Sequence, residues 1–320
     1  MKILYARIVQ GSGSGDGGEI YDDKLIGGLR QYFEVEVLTI TRKRRWLMPL
    51  WASAVPSSVF DRVSDARSRA QYVIISHEHI FSLATKIDVN LLIVHNYLPC
   101  FCFRGHRWLE GYFRLGAKRY FRRAFESADA LLFLSNRDFR RAAIDFPTAR
   151  GKSVMLQPPP FQANLLPRRM NLIHISGSDG WLPKRLCRLT SNDREAIKKS
   201  DFALGDFGAQ ISPAFGLITD RFRVGFKLKL MQMLYVGDVI ASLCDLQEEV
   251  DALVPGYPFY RSFSRLEEAI EYFQDVRNKY TAADIDKVLE PYLSAWDVPA
   301  WHGLAARLIE KGLHGAGSYL

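Results

Sequence analysis

The sequence predicts an α/β protein of two domains, each wound around a parallel sheet, facing one another across a linker. Three observations carry this. β-branched apolar runs alternate with stretches of helical period along the chain, as strand-helix-strand crossovers require. The 320 residues, 48% of them hydrophobic, suffice for two cores of ordinary size. Between them, Pro158 to Arg169 ("PPPFQANLLPRR") has linker composition. The expected division is 1–160, 161–290, and a helical tail over 291–320 that packs back on the first domain.

The elements follow in order. "KILYARIV" reads as a strand, "GSGSGDGG" as a loop, and Glu19 to Phe33 as a helix on which Tyr21, Leu25, Leu29 and Tyr32 recur at helical spacing. "VEVLTI" is the next strand. "QYVIISHEH" and "NLLIVHN" have the length and branching of buried parallel strands, and each ends in histidine. "RRAFESADALLFLSN" supplies a helix and a strand. "KSVMLQPPP" ends the domain, because three prolines permit neither helix nor ladder. In the second half "NLIHISG" is a strand leading into "GSDGWLPK", followed by "DFALGDFGAQISP". "GFKLKLMQMLYVG" is then a helix, "DVIAS" a short strand, and "SRLEEAIEYFQDV" a helix opened by a capping box from Ser264 to Glu267. The tail from Pro291 adds a final helix or two.

The formal charge of +8, with a pI near 9.3, draws the surface toward anions. In "RGHRWLEGYFRLGAKRYFRR", Arg107, Arg114, Lys118 and Arg122 form one stripe of a helix, with Trp108, Tyr112, Phe113, Tyr120 and Phe121 as apolar bodies. Such a helix reads as a membrane-surface element, and "RKRRWLMPLW" repeats the recipe. The plainer reading packs the aromatics on the sheet and solvates the arginines. No nucleic-acid module accompanies the pattern, so nucleic acid is not an expected partner. Four cysteines make no disulfide framework. Cys100, Cys102 and His106 lack zinc-loop spacing and read as packing residues. The amino-terminal run is too short and interrupted for a signal or membrane span, so the expected place is the cytoplasm, peripheral to the inner face of the membrane.

Gly13, Gly15 and Gly18 satisfy G-x-G-x-x-G between a strand and a helix, the context of a dinucleotide site. "TRKRR", with Arg42, suits a 2′-phosphate, which makes an NADP-dependent oxidoreductase one reading. A Walker A lysine is absent. The glycines also serve as a plain flexible turn.

"GDGGEIYDDKLIGGLRQYFEVEVLT" resembles the opening of glycosyltransferases with the GT-B fold, where a glycine-rich loop floors the cleft between domains. "QYVIISHEHIFSLATK", "NLLIVHN" and "YFRRAFESADALLFLSNRDFRR" look like successive elements of the acceptor domain in these enzymes. "DFGAQISP" and "FKLKLMQMLYVGDVIAS" look like the donor-domain stretch around the nucleotide. The resemblance implies two Rossmann-like domains, the first for a glycan or lipid-linked acceptor and the second for a nucleotide sugar, UDP- or GDP-linked. The general plan is similar to xanthan-type glucuronosyltransferases of surface polysaccharide or glycolipid assembly, and implies hexosyl or glycuronosyl transfer. Where the family has a Lys, two residues, a Glu and later a Gly before a strand, this chain has Lys229, Gln232 and Gly237. Val224 and Gln232 stand where a glutamate pair of the large retaining families would fall. Their absence keeps a third reading open, a sugar- or membrane-binding scaffold without turnover.

Glycosyl transfer needs a base for the acceptor hydroxyl, cations or amides for the departing diphosphate, and a dry cleft. Arg223, Lys227 and Lys229 cluster at the start of "FKLKLMQML", where the helix dipole also favours an anion. They are the diphosphate candidates, with a solvated basic face as the alternative. Gln232 can hold a ribose or phosphate oxygen, and Ser178 and Asp179 complete the donor side. Asp16 in the glycine loop is a candidate base or a turn former. His95 and His79, following buried strands, are bases or satisfied structural histidines. Gly15, Gly17 and Gly18 leave room for the acceptor. Glu78 between His77 and His79 does not make H-E-x-x-H, and no metal-binding Asp-x-Asp signature is evident, so no metal or other cofactor is expected.

Overall fold

The computed structural model describes residues 1–9, 17–41, 55–104, 107–157, 164–175, 182–205, 210–293 and 298–313. The first domain contains β1 (Lys2–Val9), α1 (Gly17–Leu29), β2 (Glu34–Thr41), α2 (Ser57–Ser68), β3 (Tyr72–Ser76), β4 (Val89–Val94) and β5 (Cys102–Phe103). It continues with α3 (Arg107–Arg114), α4 (Ala117–Ser127), β6 (Ala128–Phe133), α5 (Asn136–Asp145), α6 (Pro147–Arg150) and β7 (Ser153–Met155). Six strands form one parallel sheet in the order β2-β1-β3-β4-β6-β7.

Because strand side chains alternate, the sheet feeds two cores. Leu4, Ala6, Val73, Ile75, Leu92, Val94, Leu131 and Phe133 join one. Ile3, Tyr5, Ile74, Leu91, Ile93, Ala130 and Leu132 join the other, with Tyr21, Leu25 and Leu29 of α1. These continuous apolar runs are what a sheet covered on both faces demands.

The second domain contains β8 (Asn164–Leu165), β9 (Leu172–Ile175), α7 (Leu182–Arg185), α8 (Ser191–Lys199), β10 (Ala203–Gly205), β11 (Gln210–Ile211), β12 (Phe215–Ile218) and β13 (Phe222–Arg223). After these come α9 (Leu228–Val236), β14 (Val239–Ser242), α10 (Gln247–Leu253), β15 (Tyr260–Ser262), α11 (Leu266–Lys279), α12 (Ala282–Leu293) and α13 (Val298–Leu313). Its parallel sheet runs β10-β9-β12-β14-β15. The last helix, α13, lies on the first domain: Ala305 and Ile309 enter the core of α1, and Trp301 Nε1 donates to the Gln157 carbonyl at 2.7 Å. A Cβ on Gly28 would stand 3.0 Å from His302 Cδ2, so this glycine lets α1 and α13 approach closely.

Several expectations from sequence are corrected. The first helix ends at Leu29 rather than Phe33, and Tyr32, in the turn beyond it, is 54% exposed. The basic stripe is not one helix, because Gly116 adopts φ 71° and separates α3 from α4. The α11 start is capped by Glu268, which accepts from the amides of Ser264 and Arg265 at 3.0 and 3.2 Å, rather than by the Ser264–Glu267 pair. Pro291 lies inside α12 instead of opening the tail. The central strand β12 was passed over, since "FGLI" is short, wholly buried and without alternation.

The domains are joined away from the linker as well. β13 pairs antiparallel with β5, Phe222 opposite Phe103 and Arg223 opposite Cys102. Arg104 donates its amide to Arg221 O at 2.8 Å and its guanidinium to Ser264 Oγ at 2.8 Å. Asp138 on α5 accepts the amides of Tyr97 and Gly225 at 2.9 and 3.1 Å.

Candidate active site

In each sheet the strand order reverses once, between β1 and β3 and between β9 and β12. Ligands of open α/β sheets bind outside the carboxyl ends of strands at such points.

On the first domain this edge is built from histidines. His95 follows β4, and its Nε2 lies 2.8 Å from Ser76 Oγ at the end of β3. Ser76 Oγ donates to Asp22 Oδ1 at 2.6 Å, and Tyr5 OH to the same oxygen at 2.7 Å. Asp22, on α1, is buried and stands 3.5 Å from His95 Nε2. His77 stacks between two rings, with centroids 4.6 Å from His79 and 5.2 Å from His95. Its φ of 86° is a left-handed value, strained for a side chain of this size. His79 does not end the strand: it lies in a 3₁₀ helix, Glu78–Thr85. Asn96 Nδ2 donates to Glu78 Oε1 at 2.8 Å.

On the second domain Lys227 is the N-cap residue of α9 and Lys229 lies in its first turn. Both reach the buried Asp220 just beyond β12, at 3.2 Å from Lys227 Nζ and 2.8 Å from Lys229 Nζ. Lys227 Nζ also sits 3.6 Å from the Phe222 ring centroid. Burial alone would raise the Asp220 carboxyl, but Lys229, Lys227 and Lys184 outweigh it and hold it well below the usual carboxylate range. Arg223 faces Asp245 at 3.4 Å, partly exposed. Gln232 is 2% exposed and turned into the domain.

The two edges meet at Gly225. A Cβ there would lie 2.1 Å from Asn96 Oδ1 and 2.7 Å from the His95 carbonyl. Glycine is therefore required, both for its φ of 67° and for this approach. The approach brings the loop that leads into α9 against the end of β4. Gly225, two residues before Lys227, thus stands against the backbone of His95. Asp16, Gly13, Gly15, Arg42, Ser178 and Asp179 lie outside the described residues, and of the glycine loop only Gly17 and Gly18, at the start of α1, are described. Three side chains of this arrangement were missed as such: His77, Asp22 and Asp220. For Asp220 a signal was present, an acidic residue directly after the buried run "FGLIT".

The proposed surface helices are amphipathic but only partly open. Trp108 is 61% and Leu115 71% exposed, and Arg107, Arg114, Lys118 and Arg122 are exposed beside them. Phe113, Tyr120 and Phe121 instead pack inward, and Tyr120 OH donates to Glu78 O at 2.7 Å. Among the described residues no helix is long and apolar enough to cross a membrane.

Two parallel-sheet domains, meeting at their carboxyl edges with the last helix returned to the first domain, define the GT-B architecture. Solved structures of this shape include WaaG, a glycosyltransferase involved in lipopolysaccharide biosynthesis, at TM-score 0.59 and 10% identity over 95% of this chain and 99% of that one. A second is the glycotransferase of kitacinnamycin, at TM-score 0.54 and 10% identity over 98% and 99% of the two chains. A third is a UGT transferase from Siraitia grosvenorii in complex with UDP, at TM-score 0.53 and 10% identity over 97% and 100%. No protein-family model and no curated protein matches the sequence.

Proposed function

We propose that this protein is a glycosyltransferase that moves a sugar from a UDP- or GDP-sugar to a glycan or lipid-linked acceptor, in assembly of a surface polysaccharide or glycolipid. The observation that carries the reading is the contact of Gly225 with His95 and Asn96, which sets a cationic helix start against a histidine-lined strand edge. In this reading the donor diphosphate lies at the amino end of α9. The helix dipole and the Lys227–Lys229 pair, which exceeds Asp220 by one positive charge, meet the departing negative charge. No metal is needed at the diphosphate. The acceptor hydroxyl lies at the His77, His79 and His95 stack, which takes its proton, with Ser76 and Asp22 holding the His95 ring. Gly15, Gly17, Gly18 and Asp16 complete the acceptor side, and Ser178 and Asp179 the donor side. WaaG, described as acting in lipopolysaccharide biosynthesis, and the UDP-bound UGT transferase have the same fold. The exposed Trp108 and Leu115 among arginines support peripheral attachment to the inner face of an anionic membrane.

One observation favours the scaffold reading: Asp220 already engages both lysines. Thermal unfolding with UDP, GDP, NADP or no ligand separates the readings. Ligand at a hundred times its dissociation constant adds about 2.7 kcal/mol to folded-state stability, a rise of roughly 5–10 °C for a domain of this size. A rise with UDP or GDP is expected. A rise with NADP alone would overturn the proposal in favour of an oxidoreductase, and no rise with any of the three would favour the scaffold.

A further inference from the structure

Extended chain sends neighbouring side chains to opposite faces, yet three consecutive side chains converge just beyond β3. The left-handed φ of His77 produces the convergence. One donor atom from each of His77, Glu78 and His79 lies within 4.8 Å of the other two.

Glu78 is the informative member. It is 2% exposed, and no lysine or arginine is paired with it among the described residues. Asn96 holds its Oε1. Its Oε2 is buried without a hydrogen bond and faces His77 Nδ1 at 3.7 Å. A buried carboxylate with one oxygen unsatisfied is costly, and a proton or a cation relieves it. The carboxylate lies beside the stacked imidazoles, with one nitrogen of each ring within 4.8 Å of one of its oxygens.

We propose that His77, Glu78 and His79 form a binding site for a divalent metal ion of the borderline class, with zinc(II) the best match. Two imidazoles and one carboxylate are a ligand set of catalytic zinc sites, and they leave a fourth position for water or a hydroxyl. Magnesium and calcium prefer oxygen donors throughout, which this cluster lacks. Tetrahedral bonds of about 2.1 Å place donors about 3.4 Å apart, so the two imidazoles must leave their stack, 12° from parallel, and turn their nitrogens toward one point. Asn96 is the outer support that orients the ligating carboxylate. His95 closes the stack, but its Nε2 is directed to Ser76. The proposal departs from the sequence expectation of no metal, which rested on the missing H-E-x-x-H and on no evident metal-binding Asp-x-Asp signature. It stands whether or not the cleft transfers sugars; with the ion bound His77 and His79 are ligands, and His95 is the imidazole of the stack that takes the acceptor proton.

The test is cobalt(II) titration of the tag-free full chain after dialysis against a chelator, read by visible absorption. One equivalent is expected to develop the intense bands of four-coordinate cobalt, and zinc(II) to bleach them. Glu78→Gln and His79→Ala should each weaken binding at least about 10-fold, and Asn96→Ala by about 10-fold. Far-UV circular dichroism verifies that each variant folds. Glu78→Gln, which keeps the shape and the Asn96 contact, decides the matter if His79→Ala does not fold. Absence of the bands in the unmodified protein, or binding unchanged in Glu78→Gln, would overturn the proposal.

Discussion

The Asp138 carboxylate of the first domain accepts the backbone N–H of Gly225 in the second at 3.1 Å. The same oxygen takes the Tyr97 amide, so one buried group ties α5, the chain after β4 and the loop before α9.

Burial pushes the Asp138 carboxyl up to about 6, against the lowering effect of the Tyr97 amide, Arg137 and the Gly225 amide. The folded protein then binds this proton more tightly than the unfolded chain does. Its contribution to stability is therefore greatest below about pH 4 and is lost as pH rises to about 6, by about 3 kcal/mol. Asp138→Asn should flatten that part of the profile. Urea unfolding of both proteins at several pH values between 4 and 7 measures it, and an unchanged slope would refute the assignment to Asp138.

Gly225→Ala should destabilise the protein by about 2 kcal/mol or more, from the left-handed φ and the collision with Asn96 and His95. The check is the urea midpoint. Gly256→Ala is a useful comparison, because Gly256 has φ 73° but no atom within 4 Å of its added Cβ. It should cost only the conformational part.

Lys229→Met leaves Asp220 buried with Lys227 as its close partner, and should cost about 3 kcal/mol. Adding Asp220→Asn should recover part of this loss, since the uncompensated charge is removed. Calorimetric titration with UDP and GDP should find donor binding weakened in both variants. Full binding in the folded double variant would remove Lys229 from the donor site.

Trp108→Ala and Leu115→Ser should leave the unfolding midpoint nearly unchanged, because both side chains are exposed. Co-sedimentation with vesicles containing anionic phospholipid should fall several-fold in the double variant. Binding should also fall as salt is raised. Unchanged sedimentation would assign these residues to another surface role.

The fold was legible where residue pattern and environment coincide. "KILYARIV" and "NLLIVHN" are long apolar runs because both faces of their sheet are covered, and both are strands. "FGLI" was not legible, since four buried residues carry no period. The α3–α4 break was hidden because the heptad-like spacing of Arg107, Arg114 and Lys118 continues across Gly116, whose backbone ends the helix. At the site, the basic helix start could be read from Lys227 and Lys229, whereas their anchor Asp220 comes from before the helix and is brought close by folding. His77 was seen only as a neighbour of Glu78, because nothing in the residue order announces its backbone kink or its place between two rings.

The return of α13 to the first domain bears on the order in which the molecule is finished during synthesis. A chain emerging amino end first presents α1 and β1 early, but Ala305 and Ile309, which cover part of their apolar face, emerge only after the second domain. Until then Tyr21 and Leu25 lack part of their final packing, so the nascent first domain must persist as an incomplete intermediate while the second is translated.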